Sequence, residues 1–168
     1  LAGRRRGISA ESYERELDYY YQAGYVDDPR SFFTLPDSTP AFGVIERKPF
    51  LDGEYQVIGY ESGYVVKNPH LEERYHSYRA NETGYLVRWT HGDGNRKTVL
   101  CHHGYTLGDP KQAAGMFGVE GLYDRGVDVA LFIAPFHWRR STGSFPDRGI
   151  YLRPDDVART VLFLASDA

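Results

Sequence analysis

A chain of 168 residues is the size of one domain and can bury a core without disulfide staples. Its formal net charge of -3 gives no reason to expect a nucleic-acid partner, which needs a concentrated basic face. A single cysteine, Cys101, excludes an internal disulfide framework and a Cys-rich zinc site, and suits a reducing, cytoplasmic compartment.

The first residues hold no signal-peptide core, and no apolar run approaches the length of a membrane span. Arg4-Arg5-Arg6 reads as a solvated basic cluster. Ser9 to about Gly24 reads as a helix, because Tyr13, Leu17 and Tyr20 recur on one face while Glu and Arg residues occupy the others. Residues 27–53 contain Pro29, Pro36, Pro40, Pro49 and Gly53, so they are expected to be largely irregular. Residues 1–53 therefore form an N-terminal helix and irregular extension, and residues 54–168 a second unit. The chain holds 14 tyrosines, many in its first half, which suit either an edge cover or a cleft lining.

From Glu54 the texture is that of strands. Tyr55–Ile58 and Tyr64–Val66 are β-prone, and Gly84–Thr90 alternates Tyr85, Val87 and Trp89 against Leu86 and Arg88. A turn at His91–Asn95 then leads to a strand at Thr98–His102, and the short link predicts that these two strands form an antiparallel hairpin. Gly94–Thr98 has the texture of a phosphate loop, but Arg96 stands where that loop needs glycine and a strand follows where it needs a helix.

A β-α-β pattern comes next. Asp109 is a helix N-cap, Pro110 the first helical residue, and Gln112 the far end of a capping box. Ala113, Ala114, Phe117 and Leu122 supply the apolar stripe, and Gly126 the stop. Val127–Ala134 is nearly all apolar, as a parallel strand covered on both faces would be. A loop from Pro135 to about Pro154 leads into a last helix, Asp155–Ala168, with Val157, Val161, Leu164 and Ala165 on one side. An unpaired sheet edge after the Val127–Ala134 strand is expected to be covered by a partner chain or to self-associate.

In open α/β sheets ligands bind outside the carboxyl ends of the parallel strands. Two segments project there: His102-His103-Gly104-Tyr105-Thr106 and Pro135-Phe136-His137-Trp138-Arg139-Arg140. A sheet that begins with an antiparallel hairpin and then turns parallel, with His-Gly closing its third main strand, resembles the α/β-hydrolase superfamily. The Pro-aromatic-x-x-Arg loop after the next strand is similar to loops of its esterase-like members. The resemblance spans roughly residues 54–168. It implies a serine-type hydrolase acting on ester or related acyl bonds, with a small-molecule substrate and no metal or organic cofactor.

Attack on an acyl carbonyl builds charge on its oxygen, and fixed backbone N–H groups at a strand end stabilise it. By the resemblance, Tyr105, with Thr106 beside it, supplies oxyanion-hole backbone contacts, while His103 braces the turn and Gly104 admits the substrate. His137, Trp138, Arg139 and Arg140 would shape the substrate cleft. The plainer readings are that Gly104 is a turn glycine, His102 a hydrogen-bonded core histidine, and the arginines partners of Asp147 or Asp155. Adjacent His102 and His103 point to opposite faces of a strand, which makes them a poor metal pair. His70-Leu71-Glu72 lacks the Pro-Cys-x-x-Cys that deaminase chemistry needs, so His70 and His76 are expected on the surface.

The nucleophile elbow Gly-x-Ser-x-Gly occurs nowhere in these residues. The sequence thus looks like the N-terminal half of an α/β-hydrolase, ending before its nucleophile. The rival expectation is a non-catalytic α/β-hydrolase-like binding or scaffold domain. A nucleotide-binding α/β fold is a third, weakened by the lack of a Gly-x-Gly-x-x-Gly cradle.

Overall fold

The computed structural model describes residues 10–33, 38–94, 96–104 and 107–141. The described chain mixes helices with one open five-stranded sheet. Helix α1 (Ala10–Gln22) comes first, and β1 (Gly43–Phe50) and β2 (Gly53–Glu61) follow it. Next are the short α2 (Glu72–His76), β3 (Thr83–Thr90) and β4 (Thr98–His102). Two helices, α3 (Pro110–Phe117) and α4 (Val119–Tyr123), lead into β5 (Asp128–Ile133). The strand order is β1-β2-β3-β5-β4, antiparallel throughout except for the β4–β5 pair. The expected helix at Asp155–Ala168 and the end of the loop before it lie outside the described residues.

Helix α1 ends near where its sequence predicts, with Gly24 at φ +75°. It docks on the segment before α2 rather than on the sheet. Both carboxylate oxygens of the buried Glu16 accept from Arg74, at 3.0 and 3.1 Å, and the Tyr19 hydroxyl donates to the Lys67 carbonyl at 2.6 Å. Tyr20, Tyr25 and Phe32 gather beside Tyr19 in edge-on and tilted contacts.

The stretch 27–53 is not irregular throughout: its last part is β1, so the sheet begins at Gly43 rather than after residue 53. Pro49 hid it. Proline lacks the N–H that an interior ladder needs, but β1 is an edge strand and tolerates it. Tyr64–Val66, by contrast, forms no strand; it pairs with no strand among the described residues, and Val65 is exposed.

The predicted hairpin of Gly84–Thr90 with Thr98–His102 does not form. Strand β5 lies between them, antiparallel to β3 and parallel to β4. Burial explains the choice: all of β5 except Phe132 is buried, whereas only Cys101 is buried in β4. The most apolar strand therefore takes the interior, and the shorter, wetter β4 becomes the edge. For the same reason the Val127–Ala134 strand is not an edge; among the described residues the edges are β1 and β4.

Helices α3 and α4 cover one face of this sheet. Ala113, Val119 and Tyr123 meet Val57, Val87, Trp89, Cys101, Val129, Leu131 and Ile133 there. Each valine, leucine or isoleucine among them contributes about 1.5–3 kcal/mol on leaving water. Asp109 caps α3 as its sequence predicts, accepting from the N–H groups of Lys111 and Gln112 at 2.9 and 3.0 Å. Gly118, at φ +60°, then breaks what the sequence reads as one helix into two.

The amino end of β5 is pinned by Asp128. Its carboxylate accepts from Arg88 (2.8 Å), the Thr90 hydroxyl (2.6 Å), and the His91 ring and N–H (2.8 and 3.1 Å). Burial pushes this carboxyl up, but the hydrogen bonds from Thr90, His91 and Arg88 win and hold it far below the usual range. His91 stacks flat on Tyr123 at 3.6 Å, joining this anchor to α4.

Candidate functional site

The carboxyl ends of β4 and β5 are adjacent because the two strands are parallel neighbours in register, His102 opposite Phe132. His102 is the last residue of β4 and His103 lies just beyond it, so the two rings do not alternate across the sheet but sit 5.7 Å apart and nearly parallel. His102 is exposed and stacks on Phe132, so the buried histidine of the pair is His103, not His102.

His103 ties the two strand ends together. With the ring proton on Nδ1, it donates to the Gly104 carbonyl at 2.9 Å, and Nε2 accepts from the Ala134 N–H at 3.1 Å. Both ring nitrogens are therefore engaged and the residue is only 2% exposed. Burial lowers its pKa to about 4; the Gly104 carbonyl opposes this, and nearby His137 and His102 reinforce it. The neutral ring thus bridges the two strand ends through both of its nitrogens.

His137 sits 4.5 Å from His103, ring to ring. Its Nδ1 donates to the Pro135 carbonyl at 2.7 Å, and its Nε2 is enclosed with no partner among the described residues. Burial lowers its pKa as well, against the Pro135 carbonyl. A Cβ on Gly108 would lie 2.4 Å from the Cβ of His137, so the segment entering α3 presses on this ring and only glycine fits. Gly104 is under no such constraint: a Cβ there would meet nothing within 4 Å.

The loop after β5 carries two non-glycine residues at positive φ, Phe136 at +65° and Trp138 at +46°. Such geometry costs of order 1–3 kcal/mol per residue and persists only where the surroundings over-determine it. Asn81 does so here. Fully buried, it accepts from the Phe136 N–H at 2.8 Å through Oδ1, and donates to the Arg140 carbonyl at 3.1 Å through Nδ2. Its own carbonyl accepts from Arg140 Nη2 at 3.2 Å, while Arg140 Nη1 donates to the Ile133 carbonyl at 3.1 Å.

The side chains expected to form the cleft thus have other partners. Arg140 is buried against backbone carbonyls, and burial lowers its pKa. Arg139 pairs with Glu46 of β1 and lies 4.5 Å over the Trp138 ring, while Asp147 and Asp155, the partners expected for a loop arginine, lie outside the described residues. Trp138 packs edge-on against Tyr85 at the margin of the core. Tyr105 and Thr106, the oxyanion candidates, lie outside the described residues. Asn81, Glu46 and Gly108 carry no motif, and only their partners reveal them.

Elsewhere, His70 and His76 are exposed as expected. A cleft of about 240 Å³ opens beside Asn81, with Glu61, Ser62, Tyr64, Tyr75 and Glu82 in its walls. Tyr64 and Tyr75 thus line a cleft, whereas Tyr19 and Tyr20 of α1 cluster with Tyr25 and Phe32. Among the described residues no group of three or more His, Cys, Asp or Glu could hold a metal ion, and no helix is long and apolar enough to cross a membrane. No protein-family model matches this chain, and no curated protein matches it significantly.

Proposed function

We propose that this chain supplies the oxyanion-hole loop and part of the substrate cleft of a serine-type hydrolase of α/β-hydrolase character, acting on ester or related acyl bonds. The observation that carries the reading is the His103 brace. It joins the first residue beyond β4 to the first residue beyond β5, so that both strand-end loops flank one point outside the parallel pair. That point is where open α/β sheets bind ligands. A rigid strand end is also what an oxyanion donor needs, since its advantage comes from not reorganising as charge develops.

In this reading the Tyr105 N–H meets the developing oxyanion, and losing one such donor raises the barrier by on the order of 3 kcal/mol. The space beside Gly104 leaves room for the acyl group. His103 and Asn81 hold the frame and stay out of the chemistry. The nucleophile, its base and its acid are assigned to no residue of this sequence, which has no Gly-x-Ser-x-Gly. That absence is the observation favouring the second reading, a non-catalytic α/β-hydrolase-like binding or scaffold domain.

The experiment is fluorophosphonate labelling of the product of the native gene, with p-nitrophenyl acetate hydrolysis followed in parallel. The hydrolase reading expects one labelled serine outside Leu1–Ala168 and ester hydrolysis blocked by the label. No labelled serine and no hydrolysis from a folded gene product would leave the scaffold reading in its place.

A further inference from the structure

The chain leaves β2 at Glu61 and returns to the same end of the sheet at Thr83, which pairs with Glu61 in the ladder. The Ser62 N–H donates to the Glu82 carbonyl at 2.8 Å, so Glu61 and Glu82 stand on neighbouring chain ends. Gly63, at φ +60°, turns the backbone just after them. Tyr64 follows and meets Tyr75 of α2, the ring centroids 5.0 Å apart and the planes tilted by 53°. These four residues, with the buried Asn81, line the cleft of about 240 Å³.

What the cleft lacks is a cation. Neither Glu61 nor Glu82 pairs with a lysine, arginine or histidine among the described residues. Arg140 acts on Tyr75, yet it is buried against the Ile133 and Asn81 carbonyls and is absent from the cleft wall. Burial raises both phenols, Tyr64 to about 12, so both rings stay neutral and keep their electron-rich faces. A small cleft walled by one sign of charge and by aromatic rings concentrates negative potential. His76 also lines it, but among the described residues no three His, Cys, Asp or Glu come together as metal ligands. A bare metal ion would therefore find too few oxygens, whereas an organic cation gains from the rings as well.

We propose that this cleft binds a primary alkylammonium group, its three N–H donors shared between Glu61 and Glu82 and its methylene stem against Tyr64 and Tyr75. Size limits the ligand to one such arm, because about 240 Å³ is below the roughly 300–1,000 Å³ of sites for drug-sized molecules. Shape selects the head group. Two rings meeting at 53° make a corner, which suits a compact ammonium, while a flat guanidinium would stack on one ring only. The same group is carried by free amines and by lysine side chains.

The test titrates n-butylammonium chloride into the full, unsubstituted chain at constant ionic strength and follows tyrosine ring and backbone signals by NMR. Saturable shifts centred on Tyr64, Tyr75 and Glu82 are expected, with a dissociation constant on the order of 1 mM for so small a ligand. The uncharged analogue n-butanol should bind at least about tenfold more weakly, and potassium chloride should not reproduce the shifts. Glu61→Gln and Glu82→Gln should each weaken n-butylammonium about tenfold, and both positions are exposed, so the fold is left intact. A capped lysine tripeptide separates the two sources. Binding at least about tenfold tighter than n-butylammonium assigns the site to a lysine of a partner protein, and equal or weaker binding assigns it to a free amine. No saturable shift from n-butylammonium, equal shifts from n-butanol or potassium chloride, or an affinity unchanged in both glutamine variants would overturn the assignment. The readout is binding alone and is independent of any ester hydrolysis.

Discussion

Two buried polar side chains do most of the positioning at the strand ends. His103 is enclosed as a neutral ring, so its charged form is disfavoured in the folded state alone. The sign follows directly. The folded pKa, about 4, lies below the unfolded value of about 6.5. Stability is therefore complete above pH 6.5 and falls between pH 6.5 and 4, by on the order of 3 kcal/mol. Urea unfolding across that range should show this loss, and the His103→Gln variant should show a much shallower one. Asn81→Ala should cost about 3 kcal/mol or more, since it strands the Phe136 N–H and the Arg140 carbonyl and releases a loop with two positive-φ residues. Denaturant unfolding measures the loss, and Trp138 fluorescence should report the loosened loop. Gly108→Ala should destabilise through its clash with His137, whereas Gly104→Ala should be nearly neutral. His103 was legible in sequence because histidine before glycine at a strand end is a pattern. Asn81 was not, since its partners are 55 and 59 residues away.

At the level of elements, what was legible is what local chemistry decides. Asp109 and Pro110 announce the start of α3, and the run of apolar residues announces β5 as a fully covered strand. Asp109→Ala should cost about 1 kcal/mol, the ordinary price of a lost N-cap, read as a small shift of the denaturation midpoint. Pairing was less legible than the strands themselves. A short link between two strands normally makes a hairpin, but β5 outbids β4 for the place beside β3 because it has more apolar surface to bury. β1 was missed because a proline and a charged run read as loop, though both are natural on an edge. The break at Gly118 left no trace in the apolar stripe, which continues through it.

At the scale of the whole molecule the sheet is anchored at both ends of β5 by polar side chains, Asp128 at its start and His103 just beyond its end. Asp128 has its folded pKa held below the unfolded value of about 3.9, so its contribution is present above about pH 4 and is lost as pH falls through the lower folded value. Asp128→Asn should flatten the acid limb of the stability profile in that lower range while leaving the His103 range unchanged. The two anchors thus predict two separable acid steps in one cooperative unfolding. The mixed sheet with its parallel pair agrees with the architecture expected from the sequence only at that coarse level; which edge stays open and which residues frame the strand ends come from the structure.

The claim on which everything else rests is that His103 welds the ends of β4 and β5 into one frame. Nitrogen-resolved NMR of its imidazole across pH tests this most directly. The ring should be neutral and protonated on Nδ1, titrating near pH 4 with loss of the Ala134 amide's downfield signal on protonation. A ring that titrates near the ordinary value of about 6.5, or carries its proton on Nε2, would contradict the frame.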